Sequence, residues 1–367
     1  MFYLFFSPLA DISIVFNVFR YVTFRALASF ITALLFSLYL SPKIILILKK
    51  NQFVESINEH APETHRAKQG TPTMGGLIII FGFLISVLLW NNLLNNYVLI
   101  IMLVTLWLGG LGFLDDYLKN ILGSKQGLIE RYKLIGQISL SLIVVALIYI
   151  GSSDKLDFTS INLPFFKNMV LELKWLYFPF VIFMIVGTSN AVNITDGLDG
   201  LAGGTIIFTT LALGIMAYIK GNVNHATYLQ LNFIKEAGEL TIITASIIGS
   251  VLGFLWFNTN PAEIFMGDTG SLTLGGILAT LALLLKEEVF FAIISGVFVI
   301  EMLSTIIQRY YFKYTRIKTG TGKRVFLCAP LHHHFEKKGI PENKIVVRFW
   351  IIAALFAALG LSTIKLR

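Results

Sequence analysis

The run Tyr97-Val-Leu-Ile-Ile-Met-Leu-Val-Thr-Leu-Trp-Leu-Gly-Gly-Leu-Gly-Phe-Leu-Asp115-Asp116-Tyr-Leu-Lys119 holds eighteen uncharged residues and then two adjacent aspartates. A helix crossing the hydrocarbon core of a bilayer needs about 20 apolar residues. Carboxylates are costly close to hydrocarbon, so a pair at the end of such a run is a candidate for function.

The same alternation recurs along the chain. Of 367 residues, 56% are hydrophobic and 14% charged, and the mean hydropathy is +0.76. That balance excludes an ordinary globular domain. Ten helices are predicted, at 24–48, 75–94, 97–114, 132–150, 175–190, 201–217, 240–257, 270–285, 289–312 and 345–364. No linker, low-complexity stretch or repeat divides residues 1–367, so the chain reads as one all-α polytopic membrane domain. Segment 151–174, with Asp154, Asp157 and Pro164 among apolar residues, suits a small hairpin or an interfacial piece. Met1–Phe6 lacks a basic lead and a small-residue cleavage site, and is read as retained at the interface. The one cysteine, Cys328, rules out an internal disulfide framework or a thiolate metal cluster.

The net charge of +8 is unevenly spread. Loops after odd-numbered helices carry fifteen Lys and Arg, those after even-numbered helices six. The positive-inside rule puts the odd loops in the cytoplasm and both termini outside. Five polar clusters, Lys68–Gly76, Asp115-Asp116, Asn190–Gly200, Asn258–Ser271 and Pro330–Glu336, all fall on the cytoplasmic side. Their common face implies a single cytoplasmic active-site cleft, in an integral membrane enzyme acting on a lipid and a charged water-soluble partner.

Like charges as close as Asp115 and Asp116 favour one proton between them, which suits a base or a magnesium ligand. A solvated helix end is the ordinary alternative. In Asn190-Ala-Val-Asn193-Ile-Thr-Asp196-Gly-Leu-Asp199-Gly200 the polar residues recur every third position, so a helical turn gathers them to one side. With no Lys or Arg, this connection suits a nucleotide base or sugar hydroxyls better than a bare phosphate. Asn193-Ile-Thr195 also fits a glycosylation acceptor, against which its cytoplasmic placement argues.

Phe265-Met-Gly-Asp268-Thr-Gly-Ser271 opens the eighth helix, where an aspartate suits a hard cation and phosphate oxygens, or a plain N-cap. In Pro330-Leu-His332-His333-His334-Phe-Glu336 three successive imidazoles cannot serve one metal in regular structure, which disfavours zinc. Hydrogen bonds to a sugar or diphosphate, or holding a loop, fit better. Lys68-Gln-Gly-Thr-Pro-Thr73-Met-Gly-Gly76 suits phosphate contact, although it is no Walker A sequence. Glu301 and Gln308, in or near the ninth helix, are either functional or helix–helix hydrogen-bonding groups.

From about Lys49 onward these motifs, in this order, make the chain resemble the phospho-N-acetylmuramoyl-pentapeptide-transferase family, within the polyprenyl-phosphate N-acetylhexosamine-1-phosphate transferases. The resemblance implies ten transmembrane helices in the bacterial inner membrane, a homodimer, and no nucleic-acid partner. It implies transfer of a phospho-sugar from UDP-N-acetylmuramoyl-pentapeptide to undecaprenyl phosphate, with Mg2+ as cofactor. By matching position, Asp268 is expected to bind magnesium, Asp115 to act as base and Asp116 to assist. Asn190 and His332 match residues required for activity. Lys68, Thr73, Asn193, Asp196, Asp199, Asn258, Phe265 and Gln308 are expected to line the nucleoside and diphosphate site, joined by His333 and His334. Phe265 would stack on uracil, and Lys119 and Lys133 would contact phosphate. Two other readings stay open: a transferase using a UDP-N-acetylglucosamine donor, and a transporter. A transporter would place its carboxylates nearer mid-membrane, among repeats.

Overall fold

The computed structural model describes residues 1–51, 53, 70–121, 127–151, 159–163 and 170–365. The protein is all-α, built from α1 (Val22–Lys50), α2 (Gly76–Trp90), α3 (Asn96–Ile121), α4 (Glu130–Gly151), α5 (Tyr177–Thr195), α6 (Leu201–Lys220), α7 (Ala237–Asn258), α8 (Gly267–Leu284), α9 (Glu288–Ile294), α10 (Gly296–Thr319), α11 (Leu331–Lys337) and α12 (Glu342–Ser362). Among the described residues, eight helices are long and apolar enough to cross a membrane singly: α1, α3 to α8 and α12. The bent pair α9–α10 is long and apolar enough for a ninth only when its two helices are taken together, and α2, at 15 residues, is a shorter apolar helix. Between α4 and α5, strands β1 (Ser160–Asn162) and β2 (Val170–Glu172) pair antiparallel, the hairpin expected within 151–174.

Each of the ten predicted segments coincides with one of these elements, with three corrections. The third does not stop at 114: α3 continues through Asp115 and Asp116 to Ile121. Both carboxylates find partners across the bundle, so they need no solvated helix end. The fifth runs on to Thr195, which puts Asn190 and Asn193 on the helix itself. The ninth is broken, with α9 and α10 meeting at 77°. Ser295-Gly296 lies at the break, and Ser295 Oγ donates to the Phe291 carbonyl at 2.6 Å. A serine–glycine pair is a recognised cause of such kinks.

The centre of the bundle is α8, with 16 of its 18 residues buried. Glycine, alanine, serine and threonine supply more than half of it (Gly270, Ser271, Thr273, Gly275, Gly276 and others), so neighbouring backbones approach closely, as they must where lipid offers no hydrophobic drive between helices. Helices α3 and α5 pack on either side of it. A second seam joins α1, α2 and α7, where Ser29 Oγ lies 2.8 Å from Ser86 Oγ and also hydrogen-bonds Ser246.

At the end of the bundle where α1 and α7 begin, charges are paired off. Arg25 meets Glu239 at 2.7 Å, and the same carboxylate accepts from the Asn92 amide at 2.8 Å. Buried Lys220 meets Glu287 at 2.6 Å and donates to the Leu285 carbonyl. The opposite end gathers the sequence motifs.

How closely α3 meets α8 sets that end. A β-carbon at Gly112 would lie 2.4 Å from the Asp268 carbonyl oxygen, so the two backbones are in contact there. Gly112→Ala is expected to cost about 1–3 kcal/mol through overpacking. Thermal unfolding of the detergent-solubilised protein should show a drop of several degrees, and an unchanged midpoint would contradict the close contact.

Candidate active site

Three carboxylates, Asp115, Asp116 and Asp268, offer oxygens that all lie within 4.8 Å of one another. Gly112 brings α3 against the first turn of α8, and one helical turn later Asp115 and Asp116 face it. Adjacent helical residues project about 100° apart, so the two aspartates do different things.

Asp116 is the trans cap of α8. Its carboxylate accepts from the Asp268 and Thr269 amides at 3.1 and 2.9 Å and from the Thr269 hydroxyl at 2.6 Å. The first N–H groups of a helix have no partner within it, and α8 itself has no side-chain cap from Met266. Asp116 fills that need from another helix and thereby fixes the backbone from which Asp268 projects.

Asp115 and Asp268 share two lysines. Lys119 Nζ lies 2.5 Å from Asp115 Oδ2 and 3.1 Å from Asp268 Oδ2. Lys133, from α4, is ion-paired to Asp268 and lies 3.6 Å from Asp115. The other Asp115 oxygen accepts from the Leu128 amide at 2.8 Å. The other Asp268 oxygen accepts from Asn193 Nδ2 at 2.7 Å, and the same amide reaches Ser271 Oγ at 2.8 Å. With all groups ionised, three carboxylates against two ammonium groups leave one net negative charge. Oxygen donors alone, on carboxylates, are the set preferred by a hard divalent cation such as magnesium.

The other expected residues divide. Thr73 belongs to the cluster: a β-carbon at Gly267 would lie 2.7 Å from Asp116 Oδ2 and 3.0 Å from Thr73 Oγ1. Its segment is laid there by backbone pairing, from Phe265 N to Pro72 O at 2.8 Å and from Gly75 N to Phe265 O at 2.7 Å. Phe265 is half-buried beside it. Lys68 lies outside the described residues.

Asn190, one turn before Asn193, turns away to Gln137 Oε1 at 3.1 Å. Asp196 is half-buried at the end of α5, where its backbone N–H closes the helix on the Val192 carbonyl at 3.1 Å. Asp199 and Asn258 are committed to the framework. Asp199 accepts from Asn260 Nδ2 and the Ala262 amide, both at 3.1 Å. Asn258 accepts from the Gly200 amide at 3.0 Å and donates to the Ile264 carbonyl at 2.8 Å. Gln308 clamps the 325–326 backbone, accepting from Val325 and Phe326 at 3.0 Å.

The three histidines diverge. His332 is fully buried between α10 and the Asn-rich turn, with Nδ1 3.3 Å from Glu301 Oε2. A β-carbon at Gly197 would lie 2.3 Å from its Nε2. His333 meets Glu336 at 2.6 Å, and His334 Nδ1 accepts from the Leu327 amide at 3.1 Å. Glu301, itself buried, accepts from the Leu331 and His332 amides at 2.8 and 3.2 Å. It therefore holds both the backbone and the ring of His332.

Residues 98–286, about half of the chain, match the profile of glycosyl transferase family 4. Residues 68–80 match phospho-N-acetylmuramoyl-pentapeptide-transferase signature 1. The chain is 49% identical to the phospho-N-acetylmuramoyl-pentapeptide-transferase of Pelodictyon phaeoclathratiforme and 50% identical to that of Chlorobium chlorochromatii, each over 96% of this chain and 95% of the relative. It is 48% identical to that of Gemmatimonas aurantiaca over the whole of both chains. The chain belongs to this transferase family.

Within a phospho-N-acetylmuramoyl-pentapeptide-transferase site built this way, sequence reading passed over Gln137, Thr269 and Glu342. Gln137 is a buried amide in an apolar helix, a signal that could have marked it. Thr269 caps nothing visible in sequence, and Glu342 accepts from the Asp199 amide 2.8 Å away across 143 residues.

Burial holds the His332 imidazole below the ordinary histidine range, although the Glu301 carboxylate pulls it the other way. The folded protein thus keeps His332 neutral where the unfolded chain, near 6.5, takes up a proton. Its contribution to stability is complete above about pH 6.5 and is lost as pH falls toward the lowered value. Thermal unfolding at pH 7.5 and 5.5 should show an acid-induced loss that shrinks in His332→Gln.

Proposed function

We propose that this chain transfers phospho-N-acetylmuramoyl-pentapeptide from its UDP donor to undecaprenyl phosphate, forming lipid I and releasing UMP. The membership of the family supports this reading, and the observation that carries it is the pair of lysines bridging Asp115 and Asp268. A diphosphate approaching this cluster finds two ammonium groups that can exchange a carboxylate for a phosphate oxygen without leaving the site. Phosphoryl transfer needs positioning and charge neutralisation more than covalent help.

The reaction forms a bond from a lipid phosphate oxygen to the phosphorus attached to the sugar. It breaks that phosphorus's bond to the bridging oxygen, and UMP leaves with the electron pair. Asp115 takes the proton from the attacking lipid phosphate. Asp268 is the residue that would hold magnesium, with Asp115 beside it. When bound there, the ion supplies Lewis-acid stabilisation of charge on the phosphate oxygens. Asp116 is read as a positioning residue, since its oxygens are occupied by α8. Asn193 orients Asp268, and Glu301 with His332 fixes the turn at Gly197 that carries Asp196. Donor specificity for the pentapeptide over UDP-N-acetylglucosamine is read from the family alone.

The site is taken to face the cytoplasm, in the bacterial inner membrane, on the strength of the basic loops counted above. The chain is taken as one domain that works as a homodimer, which rests on the family.

Purified protein should release UMP from UDP-N-acetylmuramoyl-pentapeptide and undecaprenyl phosphate only when magnesium is present. Asp268→Ala should lower the rate roughly 10³-fold or more. Metal-independent turnover would overturn the assignment of Asp268. Asp115→Asn should lose turnover yet keep its affinity for the UDP-sugar, measured by calorimetry. A trapped phospho-aspartate would instead make Asp115 a nucleophile.

A further inference from the structure

The C-terminal half of α10 projects from the bundle. From Arg309 to Gly320 every residue is exposed except Thr315. Helical periodicity sorts this segment into three faces at about 100° per residue. Gln308, Phe312, Thr315 and Thr319 form one, and the chain after the helix folds back on it. Thr315 Oγ1 accepts from the Lys323 amide at 2.8 Å, and Gly322 lies against the Phe312 ring. This half of α10 is therefore braced although no other described helix covers it.

A second face is apolar and aromatic. Leu303, Ile307, Tyr310, Tyr314 and Ile317 follow one another at three- and four-residue steps, and all are exposed, Tyr310 at 69% and Ile317 at 77%. The stripe begins within the apolar part of the span and continues onto the projecting part without a break. Along the span this face is exposed on the outside of the bundle, and its continuation lies on the same side of the helix.

The third face is basic. Arg309, Lys313 and Arg316 fall within about 60° of one another and about 120° from the middle of the apolar stripe. None has an acidic partner among the described residues. From Met302 to Phe335 the sequence holds six Lys and Arg and no Asp or Glu. A helix with tyrosines and aliphatics on one side and unpaired cations on the other suits the boundary between acyl chains and headgroups. Long basic side chains reach from there to phosphate.

We propose that residues 303–318 of α10 form a binding surface for anionic phospholipid headgroups, in the leaflet on the side of the carboxylate cluster. Tyr310 and Tyr314 sit at headgroup level, and Arg309, Lys313 and Arg316 contact lipid phosphates. The occupant is bulk anionic lipid, because these cations have no acidic partner among the described residues and the apolar stripe continues the exposed face of the span.

The test uses the full chain in phosphatidylcholine nanodiscs containing spin-labelled phosphatidylglycerol or spin-labelled phosphatidylcholine, with the motionally restricted fraction read by EPR. The native protein should immobilise phosphatidylglycerol several-fold more strongly than phosphatidylcholine. Arg309→Gln/Lys313→Gln/Arg316→Gln should lose most of that preference, and 0.5 M salt should weaken it in the native protein. UMP release from the triple variant in a neutral detergent should match the native rate, so that failure of the lipid surface and failure of the transferase reading are separable. Equal immobilisation of both lipids by the native protein, or a preference unchanged in the triple variant, would overturn the proposal. A change of oligomeric mass in the triple variant would overturn it too, by assigning the face to a second copy.

Discussion

A carboxylate buried at a membrane face must be matched, and the match between Asp116 and the first turn of α8 is what the site is built on. Burying a charge costs several kcal/mol unless hydrogen bonds satisfy it. Each charge-assisted bond returns about 1.5–3 kcal/mol. Asp116 has three, from the Asp268 amide, the Thr269 amide and the Thr269 hydroxyl. The same bonds satisfy amides that begin a buried helix, whose positive end favours the negative charge. Two separate costs, an orphan helix start and a desolvated carboxylate, offset each other. Asp268 is held by the residue expected from the family resemblance only to assist it.

The two ends of the bundle illustrate different uses of charge. Arg25 with Glu239, and Lys220 with Glu287, are buried pairs that tie distant parts of the chain together. Around Asp268 each cation meets two anions, and each of these anions meets two cations. Such sharing lets one contact loosen while the other persists. A ligand rich in phosphate oxygens can join the arrangement without stripping any lysine of all its partners.

Much of the fold was legible because apolar runs bounded by polar clusters leave few alternatives once a bilayer is the solvent. The end of α3 was misplaced because the chain displays two carboxylates there but not the amides that receive them. The break at Ser295-Gly296 is hidden by continuous hydropathy on both sides. In the site, convergence of Asp115, Asn193 and Asp268 could be expected from their common face. The partners of Asp199, Asn258 and Gln308 could not, since an amide or carboxylate announces a need for a hydrogen bond without naming who meets it. Gln137 was lost for the opposite reason, a single amide in an apolar helix with no motif around it. The comparisons with relatives add family membership, which geometry alone does not give.

His332, His333 and His334 are neighbours that answer to unrelated partners: Glu301 and Gly197, Glu336, and the Leu327 amide. Spelling alone makes them look interchangeable. In space they behave like three keys cut for three locks, so deleting or inserting one residue just upstream would bring the wrong ring to every lock at once. That stretch should accept changes of side chain more readily than changes of length.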